Sequence, residues 1–532
     1  MACQRTTTNR CIIFVSFFLV FSFLLDQQVF SQQQCLSGSI IDGESGKPVT
    51  ARIRLLQGTQ PILPAGFTFY DRRGERHFYV PSTFRLPLEP GQYTIRIERG
   101  KEFRPVEETF AISANQEVRR SFKLDRWINM ESRGWYSADL HVHRPTEVMA
   151  ETLLAEDLNV APVISTHHWT QWDALKKPPK PSVTLLEADQ THVFSVGGYE
   201  VERIIDGPGA VTLFGLDLSL DFDGYELYPP ASYLTRKTHE QNGYVDGDKP
   251  FWLDVPVNVA LGEIDFMEVA CNHFFPRGVD ADLKRWASWK PDPGFEGWDR
   301  GFALWIMDLY YKLLNCGFRL PASGGSACGV KPLAVGYNRV YVKLDAPFSY
   351  DNFFRALKAG RSFSTNGPML DLKVNGKGIG STIEFSGNAK IQIEATAESG
   401  SELESLEILV NGQTRVGARG KGRLVAKQTI DVSESVWVAA RAFEESSQTV
   451  VFGQTSPIYV LKDGKPVRIA ASAQYWLDKM DELIARTRNQ GGFKVESHRQ
   501  ETLAVYERAR KIYLDILEKP TGALRAESRY DR

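Results

Sequence analysis

The chain has 532 residues, 42% of them hydrophobic and 24% charged, enough for roughly three or four soluble domains of ordinary size. Its 63 basic and 65 acidic side chains leave a formal net charge of −2. So even a balance argues against nucleic acid or an anionic membrane as the main partner, since both select basic surfaces.

The N-terminus reads as a targeting segment. Arg5 and Arg10 accompany an apolar run from Cys11 to Leu25, and Val29-Phe30-Ser31 offers a cleavage site. The run is short for a spanning helix, which needs about 20 residues. Residues 1–31 are therefore expected to be a signal peptide, and the mature protein to be secreted or periplasmic without a stable membrane span. Cys3 and Cys11 leave with the signal. Cys35, Cys271, Cys316 and Cys328 remain, too few for a disulfide scaffold in a chain this long.

Residues 36–125 predict strand after strand. Ala51, Ile53 and Leu55 alternate with Arg52 and Arg54. Beyond the Pro90-Gly91 turn, Tyr93, Ile95 and Ile97 alternate with Thr94, Arg96 and Glu98. Period-two alternation between turns means half-buried antiparallel strands, hence a small β-sandwich. Residues 126–370 carry short apolar runs (Val160 to Ile164, Val193 to Val196, Val211 to Leu216, Phe266 to Ala270) separated by helical or irregular stretches. That pattern suggests an α/β barrel or a layered α/β fold. Trp286, Trp289, Trp298 and Trp305 cluster here and are read as packing rather than as substrate platforms.

Residues 371–465 return to β structure, with hairpin turns at Asn375-Gly376 and Asn411-Gly412. They form a second β-sandwich. In residues 466–532, Trp476, Met480, Leu483, Ile484 and Thr487 share one helical face. Leu503, Tyr506, Ala509, Tyr513, Ile516 and Leu517 share another. Gly491-Gly492 separates the two helices and Pro520 ends the second.

The chemistry-bearing residues gather at the ends of the middle strands. Asp139-Leu140-His141-Val142-His143 comes first, and in a strand His141 and His143 project to one face. Two neutral imidazoles so placed are half of a transition-metal site. Ser165-Thr166-His167-His168, Gly198-Tyr199-Glu200 and Asn272-His273 follow at later strand ends. Strand ends converging on one mouth is how barrel active sites are assembled.

This order resembles the polymerase and histidinol phosphatase (PHP) superfamily, in particular its CehA/McbA-like metallohydrolase branch. Ala138 to His143, the strand ending at His167, Gly198-Tyr199-Glu200 and Asn272-His273 carry the resemblance. So do Gly336-Tyr337-Asn338-Arg339-Val340-Tyr341-Val342 and the run from Ala356 to Pro368. Gly38 to Asp42 with Gly46-Lys47-Pro48-Val49 likewise resembles the start of carboxypeptidase-regulatory-like modules, which accompany secreted enzymes and do no chemistry themselves.

The resemblance implies an α/β fold with a distorted β/α barrel, flanked by two β-sandwich domains and a C-terminal helical hairpin. It implies divalent metal (zinc, manganese or iron) and hydrolysis of phosphate or other esters. The sequence departs from the family pattern in three places. Thr166 replaces an acid, Lys249-Pro250 stands where His-Pro is common, and Ala327 and Gly329 occupy the positions of the last carboxylate and imidazole. One ion is therefore expected rather than three, or none. Cys328 reads as a small buried residue, with a zinc thiolate as the alternative.

Two functions compete. In the first, a secreted metal-dependent hydrolase acts on a small or polymeric ester. His141, His143, Glu200 and His273 are its candidate metal ligands, and His167, Lys249 and Arg203 its candidate catalytic groups. In the second, a degenerate barrel serves as an extracellular module that binds polysaccharide or another cell-surface component.

Overall fold

The computed structural model describes residues 34–169, 184–203, 207–216, 220, 227–280, 283, 284, 286, 288–420 and 422–521, with backbone alone at 166–169 and 184. The expected signal at 1–31 lies outside the described residues.

The alternating N-terminal segments form two sheets. Cys35–Asp42 pairs antiparallel with Thr83–Pro87 and parallel with Glu117–Leu124. The other sheet runs Phe69–Arg72, Glu75–Val80, Ala51–Gln57, Gly91–Glu98 and Val106–Ile112. Their inward residues, among them Ile40, Ile53, Phe78, Ile95 and Phe122, make one apolar core. This is the burial that period-two alternation dictates.

The middle region is mixed α/β and rich in strand. Trp135–Ala138 pairs parallel with Val160–Trp169 and antiparallel with Arg339–Lys343. Val160–Trp169 pairs parallel with Val193–Arg203, which is followed antiparallel by Gly209–Phe214 and then Tyr244–Asp246. A separate two-stranded sheet joins Met267–Ala270 to Ala322–Gly324. Among the described residues no sheet closes on itself. The large sheet instead continues through Ser362–Thr365 and Phe452–Thr455 into the strands Val436–Glu444 and Leu403–Val410. Hydrogen bonding thus runs unbroken from the middle region into the second β region. There Met369–Val374, Ala389–Glu398 and Leu424–Val432 form the facing sheet over a second apolar core.

The tail forms the helices Ala470–Asn489 and Glu496–Glu518. Trp476, Met480 and Tyr513 are fully buried in the largest core, together with Trp305 and Tyr310. Trp289 is buried in this core and Trp286 packs half-buried against it, whereas Trp298 is 49% exposed. All four described cysteines are buried and unpaired with one another.

Candidate metal centre

Asp139 anchors the site. It follows the strand Trp135–Ala138, and its carboxylate accepts three backbone N–H groups, from His141 (3.0 Å), Ser326 (2.9 Å) and Gly336 (2.7 Å). It braces two loops against the strand end and is committed to that task.

The next residues continue as a strand. Val142 bridges to Val163 on one side and Cys328 on the other. The His143 amide donates to the Cys328 carbonyl at 2.7 Å. Alternation therefore holds, and His141 and His143 share a face with ring centroids 5.2 Å apart. The 324–330 segment must run close beside them. Ala327 and Gly329 take left-handed φ values of 49° and 111°. A Cβ at Gly329 would stand 2.4 Å from the His143 carbonyl oxygen. Ala327 and Gly329 thus supply a tight backbone path beside the two histidines.

Glu200 arrives from the strand Val193–Arg203, in register with His167 and Thr212. Its carboxylate oxygens lie 3.3 Å from His141 Nε2 and 3.1 Å from His143 Nε2. These three donors form a buried to half-buried group able to hold a metal ion. Donor atoms bound at about 2.1 Å to a tetrahedral ion stand roughly 3.4 Å apart, so the spacing suits one.

A second group shares His141. Its Nδ1 lies 3.3 Å from Asp248 Oδ1 and 3.3 Å from Glu268 Oε1. His141, Asp248 and Glu268 are all fully buried and form another set able to hold an ion. Neither ring nitrogen of His141 nor either oxygen of Glu268 makes a hydrogen bond. Buried polar atoms in that state require a partner. A neutral imidazole has one acceptor nitrogen and one N–H. An ion in either group would take one His141 nitrogen, leaving the other, as N–H, to face the opposite carboxylates at 3.3 Å. Metal-binding histidines characteristically have such a partner.

Burial opposes charge throughout this pocket. It works against protonated His141, but Glu200 and Glu268 outweigh it and raise that pKa well above the usual value. Burial, then the neighbouring Asp248, pushes Glu268 up to about 7, against the pull of His141 and Lys249. Burial also raises Asp246, with Glu268 adding to the effect, although the Ser323 hydroxyl hydrogen-bonds to its carboxylate. Asp248 is held low despite burial because Lys249 sits on it and His141 faces it, and it also accepts the Trp252 indole N–H at 2.7 Å. So many carboxylates around one imidazole make a receptive place for a cation.

The remaining candidates are distributed differently. Lys249 is within the site, its ammonium on Asp248, and the surrounding carboxylates keep it charged against burial. His273 is buried between Phe251, Trp286 and Phe302. Its Nδ1 donates to the Asp280 carbonyl, and burial, then Lys331 and Lys249, hold its pKa well below normal. It belongs to neither converging group. Arg203 lies three residues past Glu200, on the opposite strand face by parity. Its guanidinium donates to the Pro229 carbonyl beside Asp254 and Tyr506. The His167 side chain lies outside the described residues. The Cys328 thiol is raised by burial and lies outside both groups.

Asp248 and Glu268 are the residues that sequence reasoning missed. The signals were faint: Asp246 and Asp248 repeat the spacing of the histidine pair, and Glu268 interrupts an apolar strand. No family model, curated protein or solved structure matches the chain.

Proposed function

We propose that the chain is a secreted metal-dependent hydrolase of phosphoesters or other esters, on the PHP-like plan. On this reading the open middle sheet is a distorted, incompletely closed β/α barrel. The convergence of His141 and His143, just past the strand Trp135–Ala138, with Glu200 of the strand Val193–Arg203 carries the proposal, because three nitrogen and oxygen donors are the protein ligand count of a catalytic rather than a structural set. A divalent ion held there supplies Lewis acidity and makes a water acidic enough to ionise near neutral pH. His141 presents Nε2 to the site and directs its Nδ1–H to Asp248 and Glu268, which fix ring and tautomer. Lys249 neutralises Asp248, which lowers the affinity of the second group for another cation and favours one ion over several. Arg203 and His273 have no role in this scheme.

The test is elemental analysis of the purified full chain, its His141→Ala and Glu200→Gln variants, and turnover on phosphomonoesters, phosphodiesters and carboxylic esters. The expected result is close to one zinc, manganese or iron per chain, lost in both variants together with turnover. Stoichiometric metal that survives both substitutions overturns the assignment. Absence of both metal and turnover in the unmodified chain would instead favour the extracellular binding module.

A further inference from the structure

Where the N-terminal β unit, the middle region and the second β region meet, they enclose a recess of about 590 Å³. Six cationic side chains line it: Arg52, Arg54, Arg96, Lys101, Arg104 and Arg339. Only three carboxylates do, Glu98, Glu156 and Glu444. Glu98 is consumed by Arg52, Arg54 and Arg96 at 3.4, 2.6 and 3.2 Å. Glu156 takes Arg52 at 2.8 Å. Glu444 is hydrogen-bonded by Ser399. Arg104 is exposed and donates to the Gly400 carbonyl.

Lys101 and Arg339 make no direct salt bridge, and the recess carboxylates act on them only at longer range: Glu444 and Glu98 on Lys101, and Glu156 on Arg339. The Lys101 ammonium donates to the Asn366 carbonyl at 2.8 Å and stands 4.1 Å from the centre of the Tyr337 ring. Arg339 is only 1% exposed. Its Nε and one terminal nitrogen donate to the carbonyls of Gly336 and Glu156, while Nη1 makes no hydrogen bond. Besides Glu156, its charge is felt at Glu102 and Asp157. Those two are already engaged by Arg126 and, at Asp157, by Arg99 as well. Among the described residues, neither Lys101 nor Arg339 has a carboxylate oxygen within 4.0 Å. A half-buried ammonium and a buried guanidinium at one recess, neither in contact with a carboxylate, cost free energy that a bound anion would reduce.

We propose that this recess binds a small organic anion, its carboxylate or phosphate held by Lys101 and Arg339 and its body filling the remaining volume. A bare ion would leave most of such a space unused, and cavities of this size suit compact organic ligands. The proposal is independent of the metal centre. A protonic signature accompanies it. Burial, then Arg339, lowers the Lys101 pKa to about 7, with Arg52 adding repulsion and Glu444 and Glu98 opposing. An arriving anion favours the charged amine, so binding draws in a proton and weakens as pH rises through and above 7.

Calorimetric titration of the full chain in EDTA, with glucuronate and with glucose 1-phosphate, tests this. Glucose and inorganic phosphate serve as references, and buffers of different ionisation enthalpy report the proton. The expected result is binding of at least one of the two organic anions, tighter than either reference, with proton uptake at pH 7.5. Which one binds tells carboxylate from phosphate. Lys101→Gln should weaken binding about tenfold or more, and Arg339→Lys likewise. Lys343→Gln, elsewhere on the surface, should leave it unchanged. Failure of both anions to bind overturns the proposal, and so does binding that Lys101→Gln leaves intact. Should Arg339→Lys not fold, Lys101→Gln decides alone.

Discussion

At the scale of single residues, the centre depends on a glycine as much as on its ligands. A Cβ at Gly325 would stand 2.4 Å from both Glu268 Oε1 and His141 Cβ, well inside contact distance. The Gly325 amide is tied to the Ala270 carbonyl at 3.1 Å, so the backbone cannot simply retreat. Gly325→Ala is expected to lower stability by about 1–3 kcal/mol and to reduce metal content. Thermal melting and elemental analysis check the two effects, and unchanged values in both would show that the strand ends yield. His141, His143 and Glu200 were legible because strand alternation and strand-end position are local properties. Asp248 was not, because it lies past the strand Tyr244–Asp246 in a left-handed conformation of its own (φ 53°), which strand alternation does not foresee. Glu268 was hidden for another reason: a lone carboxylate in an apolar strand has a partner only once the fold brings His141 beside it.

At the scale of elements, the strand Glu75–Val80 carries a buried, pH-sensitive contact. His77 is fully buried, with Nδ1 2.8 Å from Glu75 Oε1 and Nε2 3.1 Å from the Tyr79 hydroxyl. Burial lowers its pKa to about 4, with Arg52 and Arg54 adding repulsion and Glu75 opposing. In the unfolded chain it titrates near 6.5. Between pH 6.5 and 4 the unfolded state therefore holds a proton that the native state refuses, and stability falls as pH falls through that window. The loss is on the order of 3 kcal/mol. Glu75 is lowered to about 2 despite burial, by His77, Arg54 and Arg52, so its own contribution fades below the window. In His77→Gln, denaturant unfolding between pH 6.5 and 4 is expected to show a flatter decline than in the parent chain. Equal slopes would assign the decline to other groups. The hairpin at Asn411-Gly412 and both tail helices were legible from turn chemistry and helical period. The join of Phe363 to Thr455 was not, since it pairs residues some ninety positions apart, beyond any local pattern.

At the scale of the whole molecule, one asparagine ties three regions together. Asn315 follows the helix Asp299–Leu314 and is nearly fully buried. Its oxygen accepts the Trp437 indole N–H at 2.8 Å, from the second β region. Its amide nitrogen donates to the Asn411 carbonyl and the Ser472 hydroxyl, both at 3.3 Å, the latter on the first tail helix. Its own carbonyl accepts the Ile469 amide at 2.8 Å, just before that helix. Asn315→Ala leaves the buried Trp437 N–H unsatisfied, at a cost of about 1–3 kcal/mol, and removes the side-chain tie to the tail. Trp476 and Tyr513 still hold the helices through apolar burial and the Tyr513 hydroxyl on the Pro256 carbonyl, so the variant should fold. Its expected defect is weakened docking. Limited proteolysis should release a fragment containing residues 470–518 sooner than from the parent chain, because the open form is more populated. An identical digestion course at equal protease would mean that apolar packing alone seats the tail and that Asn315 serves only its local loop.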